Sequence, residues 1–329
     1  MNVIFDKGLH LPALDLWMDA RRRRTGCWVS HGHTDHIAPH QRFIATGPTA
    51  AFLRLRHTRS EGMVVPYGEA VPGRGYQITL NPAGHCLGAA QLLIEMDDGH
   101  RTVYTGDFKL RTNPTAESCP IVPCETLIME ATYGHSRYVF PSQEETLDLL
   151  RGFVDRCLNA GMVPALLAYS LGKAQEALHY LLGMGYRVRY HPTIAPLVDE
   201  YQRWGIEFDG DHGVLEDNIE RDTVVLTPPG RGLRDVYRYA PGLVRTAFLS
   251  GWAIDEGAPF RFQAHEAIPL SDHADYGELV RYAVESGARE VFTVNGMPHL
   301  ANDLRRRGIP ARHLAQVKGP VQLRLALDA

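Results

Sequence analysis

Cysteine is scarce in this chain: five residues, an odd number, scattered over 329. That is not a disulfide framework, and it argues against the small disulfide-stapled secreted domains. Long apolar runs are missing, and none approaches membrane-spanning length. The opening MNVIFDKGLH has neither the basic nor the apolar region of a secretory signal. From these absences we expect a reduced, cytoplasmic protein with no membrane partner. A basic excess is lacking as well. The net charge of −4 argues weakly against a generally basic nucleic-acid binder. We find no internal repeat and no low-complexity tract. What remains is a chain of ordinary charged and apolar content, long enough for one large domain or two ordinary ones.

Positive charge is present locally. Arginines cluster at Arg21–Arg24, at Arg54, Arg56 and Arg59, and at Arg305–Arg307. Each cluster reads first as a solvated face, although arginines can also meet phosphates. Up to about Ala131, short β-rich runs alternate with turns: 14–19, 27–30, 43–46, 63–65, 76–80, 91–96, 101–105 and 126–130. Thr49–His57 reads as a helix behind Pro48. From about Tyr138 the texture becomes strand–helix alternation, which predicts a parallel sheet covered by helices. Ser142 with Glu145 three residues later predicts a capping box opening a helix to Asn159. Short strands and helices resume at about Ala267, ending in a strand over Val321–Leu327.

The chemistry concentrates in Ser30–Ile37, SHGHTDHI, where three histidines and an aspartate fall within six residues. Neutral imidazole and carboxylate are good ligands for Zn²⁺ and Mn²⁺. The preceding CWVS reads as a short buried strand, so the motif would be the loop leaving it. His31 and His33 can then pinch one ion, while Asp35 and His36 face a second. The bland alternative is a surface histidine cluster. His85, in AGHCLGA, is a plausible third histidine because small neighbours let its backbone come close. Asp107, in YTGDFK, ends an apolar strand, where its two oxygens can bridge two ions. Taken alone it would be a turn aspartate capping its own backbone. Glu130 ends another strand, and His273 sits between acids in SDHAD. A histidine beside a carboxylate is a candidate general acid. Taken singly, Glu130 and His273 are ordinary polar turn residues.

In this order, these residues resemble the metallo-β-lactamase-fold hydrolases, with Asp19 at the fold's first acidic position. Glu130 in EATYG and His273 in SDHAD resemble the signatures of the β-CASP nucleases. EATYGHSRYVFP, Ser250–Trp252 (SGW) and PLSDHADYGEL look most like the bacterial ligase-associated DNA exonucleases. YSLGKAQEAL, from Tyr169, is similar to a segment of the DNA-specific branch, which includes the DNA cross-link repair nucleases.

The resemblance implies an α/β protein: a metallo-β-lactamase αββα sandwich from residues 1–137 and 266–329, with a β-CASP α/β domain inserted at 138–265. It implies two divalent transition metals, Zn or Mn. His31, His33, His85 and Asp107 would hold the first. Asp35, His36 and the shared Asp107 would hold the second, with Asp19 behind the ligands. His273 would protonate the leaving oxygen and Glu130 would orient it. Ser170, Gly172 and Lys173 would take a phosphate at a helix N-terminus, or be no more than a helix cap with a surface lysine. Trp204, Trp252, Tyr133 and Tyr138 are candidates for stacking on bases of DNA held between the domains. The implied activity is a DNA exonuclease of repair, 5′ to 3′, partnered by an ATP-dependent DNA ligase or other repair proteins. The alternative is a β-CASP RNA nuclease. One departure stands out. Where ribonuclease J carries a metal-ligating histidine, this chain has Asn295 in FTVNGMPHL, so the second site is either weaker, completed by water, or reached by Asn295 or His299.

Overall fold

Period-two patterning and frequent turn residues cut the first 130 residues into short strands, and these build two sheets. The computed structural model describes residues 2–57, 60–217, 219–220, 222–240, 243–314 and 321–322. Arg59 and positions 323–327 of the expected last strand lie outside them, and Val321–Gln322 is the strand observed. The chain divides into two compact units. One comprises Met1–Thr112, Ala116–Arg137 and His273–Ala329, and the other Asn113–Thr115 and Tyr138–Asp272.

The first unit holds two seven-stranded sheets. In one, Val321–Gln322, Asn2–Phe5, Leu9–Leu11 and Leu16–Met18 run antiparallel to their neighbours. Gly26–Trp28, Arg42–Ala45 and Glu61–Val64 then continue in parallel. The other sheet runs Ala311–His313, Glu290–Val294, Thr126–Glu130, Arg101–Tyr104, Ala90–Met96, Tyr76–Pro82 and Ala70–Pro72. One core joins the sheets: Leu9, Met18 and Trp28 from the first pack with Leu80, Leu92, Ile128 and Phe292 from the second. The outer face of the first sheet packs on helix Gly47–Arg56 through Phe43, Ala45, Ala50 and Leu53. That of the second packs on helices Tyr276–Glu285 and His299–Arg306 through Leu279, Tyr282, Leu300 and Leu304.

The second unit is a six-stranded, all-parallel sheet: His212–Val214, Arg187–Tyr190, Thr223–Thr227, Val163–Leu167, Val244–Leu249 and Glu266–Ile268. Its central strands are continuous apolar runs, as a sheet covered on both faces requires. Helix Gln143–Asn159 opens with Ser142 and Glu145 in a reciprocal capping box. The expected return at residue 266 falls early. Glu266–Ile268 pairs in parallel with Ala247–Leu249, so the crossing back lies between Asp272 and His273.

Candidate metal centre

Each motif lands on a loop leaving a strand of the first unit. The SHGHTDH loop follows Gly26–Trp28, His85 follows Tyr76–Pro82, and Asp107 follows Arg101–Tyr104. Glu130 is the last residue of its strand. Two glycines let these loops meet. Gly106 (φ +57°) would place a Cβ 2.7 Å from Ser30 Cβ, and Gly84 (φ +73°) would place one 2.2 Å from the Lys109 carbonyl. Both need a left-handed backbone and close approach, which glycine alone provides without strain.

Three imidazole nitrogens converge. His31 Nε2 lies 3.1 Å from His33 Nδ1, which lies 3.0 Å from His85 Nε2. Asp107 Oδ2 is 3.7 Å from His31 Nε2 and 3.2 Å from His36 Nε2. Ligand atoms of His31, His36 and Asp107, and of His85, Asp107 and His273, likewise fall within 4.8 Å of one another. Burial, reinforced by the His36 and His85 rings, holds the His31 imidazole well below its ordinary pKa, so it is neutral. Burial acts on His36 in the same direction, but Asp107 and Asp19 outweigh it and hold this imidazole well above its ordinary value. Burial raises the Asp107 carboxyl, yet His36 prevails and holds it well below the usual range.

Asp19 fixes the back of the site from an unusual backbone position, φ +48°. A non-glycine residue stays there only when its surroundings over-determine it. Asp19 Oδ1 accepts from Ser30 N at 2.7 Å. Oδ2 accepts from Ser30 Oγ at 2.7 Å and Tyr104 Oη at 2.9 Å, and lies 2.9 Å from His36 Nδ1. Ser30 Oγ is also 2.9 Å from His31 Nδ1. Burial, then Asp19, keep the Tyr104 phenol well above its ordinary pKa, so it stays a donor. Sequence reasoning missed Ser30 and Tyr104. Ser30's only signal was its place directly before the histidine run.

Do the residues fit a divalent ion? Among the described residues the buried Asp107 Oδ1 has no hydrogen-bond partner, and His36 Nε2 faces only the carboxylate's other oxygen, at 3.2 Å. Ligands 2.0–2.1 Å from a tetrahedral ion lie roughly 3.4 Å apart, close to the imidazole spacings here. A donor set of three imidazoles with a carboxylate suits Zn²⁺ or Mn²⁺. The residues fit.

Beside this cluster, Glu130 is fully buried, takes Phe108 N at 2.8 Å and has both carboxylate oxygens 3.0 Å from His273 Nδ1. The acids next to His273 in sequence have other work. Asp275 caps helix Tyr276–Glu285 and takes Arg111 at 2.7 Å, while Asp272 takes Lys173.

Several expected positions fall elsewhere. Asp35 stands outside the three ligand groups, with its side chain 61% exposed and Oδ2 3.9 Å from His36 Nε2. It lines a small cleft with Asp19, Arg21, His36 and Asn295. Asn295 (φ +58°) thus reaches the Asp35–His36 side. His299 begins the last described helix and packs its ring against His135, ring centres 4.5 Å apart.

The expected phosphate group at Ser170, Gly172 and Lys173 finds other partners at Gly172 and Lys173. Gly172 N is taken by Gln175 Oε1 at 2.8 Å, and Ser170 O by Gln175 Nε2 at 2.9 Å. Lys173 is 1% exposed, with Nζ 2.7 Å from Asp272 Oδ1. A buried ammonium already paired in this way is not a surface phosphate contact. Tyr133 is buried with its ring edge-on to His273, and Tyr138 is buried with its ring edge-on to Trp252. Of the four stacking candidates only Trp204 is well exposed.

No family model matches the chain. A probable DNA ligase of Opitutus terrae is 38% identical over 313 residues, covering 94% of this chain and 31% of that protein. Transcription termination factor FttA of Methanothermobacter thermautotrophicus is 33% identical over 128 residues, 38% of this chain and 20% of the factor. DNA cross-link repair protein SNM1 of Arabidopsis thaliana is 27% identical over 199 residues, 54% of this chain and 40% of that protein. The chain therefore spans less than half the length of each. A solved structure of a protein of unknown function from Enterococcus faecalis V583 superposes with a TM-score of 0.59 at 13% identity, covering 90% of this chain and 80% of that one. That likeness concerns the fold alone.

Proposed function

We propose, from the premise that this chain belongs to the β-CASP branch of the metallo-β-lactamase-fold family, that it is a metal-dependent DNA nuclease. In this reading the first unit is the αββα sandwich of that fold and the second is the β-CASP insert. The observation that carries the proposal is the convergence of His31, His33 and His85 beside Asp107, whose buried Oδ1 has no hydrogen-bond partner among the described residues, with the His273–Glu130 pair at its edge.

His31, His33, His85 and Asp107 would hold one ion. Asp107 and His36, with Asp35 turned inward, would hold a second. Divalent ions held there lower the pKa of water towards about 7 and neutralise charge developing on a phosphodiester. The protein's own part is positioning. Ser30 and Asp19 fix the rings of His31 and His36 through their Nδ1 atoms, leaving Nε2 for the centre. Glu130 occupies Nδ1 of His273, so Nε2 is the nitrogen that can hand a proton to the leaving sugar oxygen. Glu130 also stabilises the imidazolium before the transfer.

Among possible substrates we favour single-stranded or end-containing DNA, digested exonucleolytically from 5′ to 3′, in repair alongside a ligase. The Opitutus relative is named as a ligase and the Arabidopsis relative as a cross-link repair protein. FttA, named for transcription termination, keeps RNA as the second reading. Matched DNA and RNA single strands labelled at either end, digested with Mn²⁺, test the proposal. Preferential loss of DNA from its 5′ end is expected. Preferential RNA cleavage would overturn the DNA assignment, and no metal-dependent cleavage of either strand would overturn the nuclease reading.

A further inference from the structure

Two of the arginine clusters, far apart in sequence, meet on one cavity. A hollow of about 630 Å³ in the first unit is lined by Arg23, His40, Gln41, Arg42, Arg56 and Glu61, among others. Backbone hydrogen bonds fasten its walls together. Gln41 N donates to Arg24 O and Arg42 N to Thr25 O, both at 3.0 Å, and Glu61 N donates to Gln41 O at 3.1 Å. Arg24 N donates to His40 Nδ1 at 3.2 Å. Arg42 therefore stands on hydrogen-bonded strand backbone, Arg56 stands on a helix and Arg23 precedes the fastened Arg24, which lowers the entropy cost of receiving a ligand.

Their charge is also unspent. Arg101, Arg111, Arg156, Arg187, Arg245, Arg281 and others are ion-paired. Among the described residues, Arg23, Arg42 and Arg56 have no carboxylate within ion-pair distance. Three cations against Glu61 leave the cavity net positive in a chain of net charge −4. Arg56, in the last turn of its helix, also answers that helix's C-terminal carbonyls. Arg23 and Arg42 are on no helix, so that explanation covers one of the three.

The cavity lies at the starts of the parallel strands, where Arg42 and Glu61 are in register with Gly26, and the metal loop leaves the other end of Gly26–Trp28, one three-residue strand of about 10 Å away. His40 follows His36 by four residues, a reach of at most about 14 Å. In a duplex each strand carries a phosphate about every 3.4 Å of helix axis, so this reach spans at most roughly four phosphate steps, and fewer for an extended single strand. We propose that the cavity walled by Arg23, Arg42 and Arg56 is a second phosphate-backbone site, seating the strand a few nucleotides from the metal centre. The proposal rests on the nucleic-acid reading of that centre.

The test is the salt dependence of binding of a cleavage-resistant single-stranded phosphorothioate oligodeoxynucleotide, measured by anisotropy on metal-loaded protein, for wild type and the triple variant Arg23→Ala/Arg42→Ala/Arg56→Ala. Each lost phosphate contact removes about 0.7 from the slope of log K against log salt, so a loss of about 2 is expected. Hydrolysis of bis(p-nitrophenyl) phosphate, too small to span both sites, should be unchanged. An unchanged slope in the folded variant overturns the cavity site. If the triple variant does not fold, Arg42→Gln alone should lose about 0.7, and no loss overturns the proposal equally. Wild type that binds and cleaves DNA while the variant keeps its slope refutes this site alone. Wild type that binds no DNA yet hydrolyses the small diester refutes the nucleic-acid reading and this proposal together. Mononucleotide binding lost in the variant with no change in the DNA slope would make the cavity a nucleotide pocket and overturn the backbone assignment.

Discussion

Asp19→Asn replaces one carboxylate oxygen by an amide where three groups gather on a single oxygen. Oδ2 faces Ser30 Oγ, Tyr104 Oη and His36 Nδ1, each within 3 Å. An NH₂ group there cannot accept. The two hydroxyls can turn and accept in their place, but a His36 N–H at Nδ1 cannot. The imidazolium must then either lose this partner or shed its Nδ1 proton, keeping only the Nε2–H that faces Asp107. Removing one partner of a buried charged pair costs about 3–5 kcal/mol, and hydrogen bonds to a charged group are worth about 1.5–3 kcal/mol each. With the hydroxyls rescued, we expect about 3 kcal/mol of lost stability in metal-free protein. At about 2–4 °C per kcal/mol for a domain of this size, the thermal midpoint should fall by roughly 6–12 °C. Metal affinity, read by chelator competition, should fall about 10–100-fold, the usual effect of losing a ligand's orienting partner. The pH dependence has a definite sign. His36 is raised in the folded state, so its pairing stabilises fully below the unfolded value of about 6.5 and is lost as pH rises through the folded value. The gap between wild type and variant should therefore be widest below about pH 6.5 and narrow in alkali. A midpoint within 1–2 °C of wild type (about 0.5 kcal/mol) together with affinity within twofold would refute this account of Asp19.

Asp107→Ala should abolish cleavage and lower bound metal by elemental analysis, since this carboxylate touches both halves of the cluster; full metal content would show that it is not a ligand. His273→Ala should cut turnover about 10²–10⁴-fold, the usual worth of a positioned proton donor, while metal stays bound. Loss of metal instead would make His273 a ligand, as its spacing to His85 and Asp107 permits. Lys173→Ala should destabilise by about 3–5 kcal/mol in urea unfolding by stranding Asp272, and Lys173→Met/Asp272→Leu should recover most of that. A greater loss of DNA affinity than of stability would return Lys173 to phosphate binding. Asn295→His should raise metal stoichiometry or affinity at the Asp35–His36 side, and unchanged values would show that residue 295 does not reach the ion.

The strands whose boundaries were legible from sequence are those with a single strong period. Among them, 76–80, 91–96 and 126–130 are observed as strands Tyr76–Pro82, Ala90–Met96 and Thr126–Glu130. Helix Gln143–Asn159 was equally legible, because a capping box is a local device. Short strands such as Asn2–Phe5, Ala70–Pro72 and His212–Val214 were not, because their few residues show no clear alternation and pairing alone defines them. Helix Arg231–Tyr239 was missed as well, its arginines masking a narrow apolar stripe.

The candidate site divides along the same line. Sequence alone determined which chemical groups the chain carries: three histidines and an aspartate in one loop, a glycine-flanked histidine, and carboxylates at strand ends. Ligand type and close spacing are properties of a short segment, so they survive without coordinates. Partnership across the fold is not such a property. That His273 answers to Glu130 rather than to the acids beside it, that Lys173 is consumed by Asp272, and that Asp35 stands in solvent are results of strand order and burial. So is the meeting of two arginine clusters on one cavity. Sequence neighbours diverge because successive residues leave a strand or turn in different directions. Distant residues converge because the sheets bring the ends of their strands to one place.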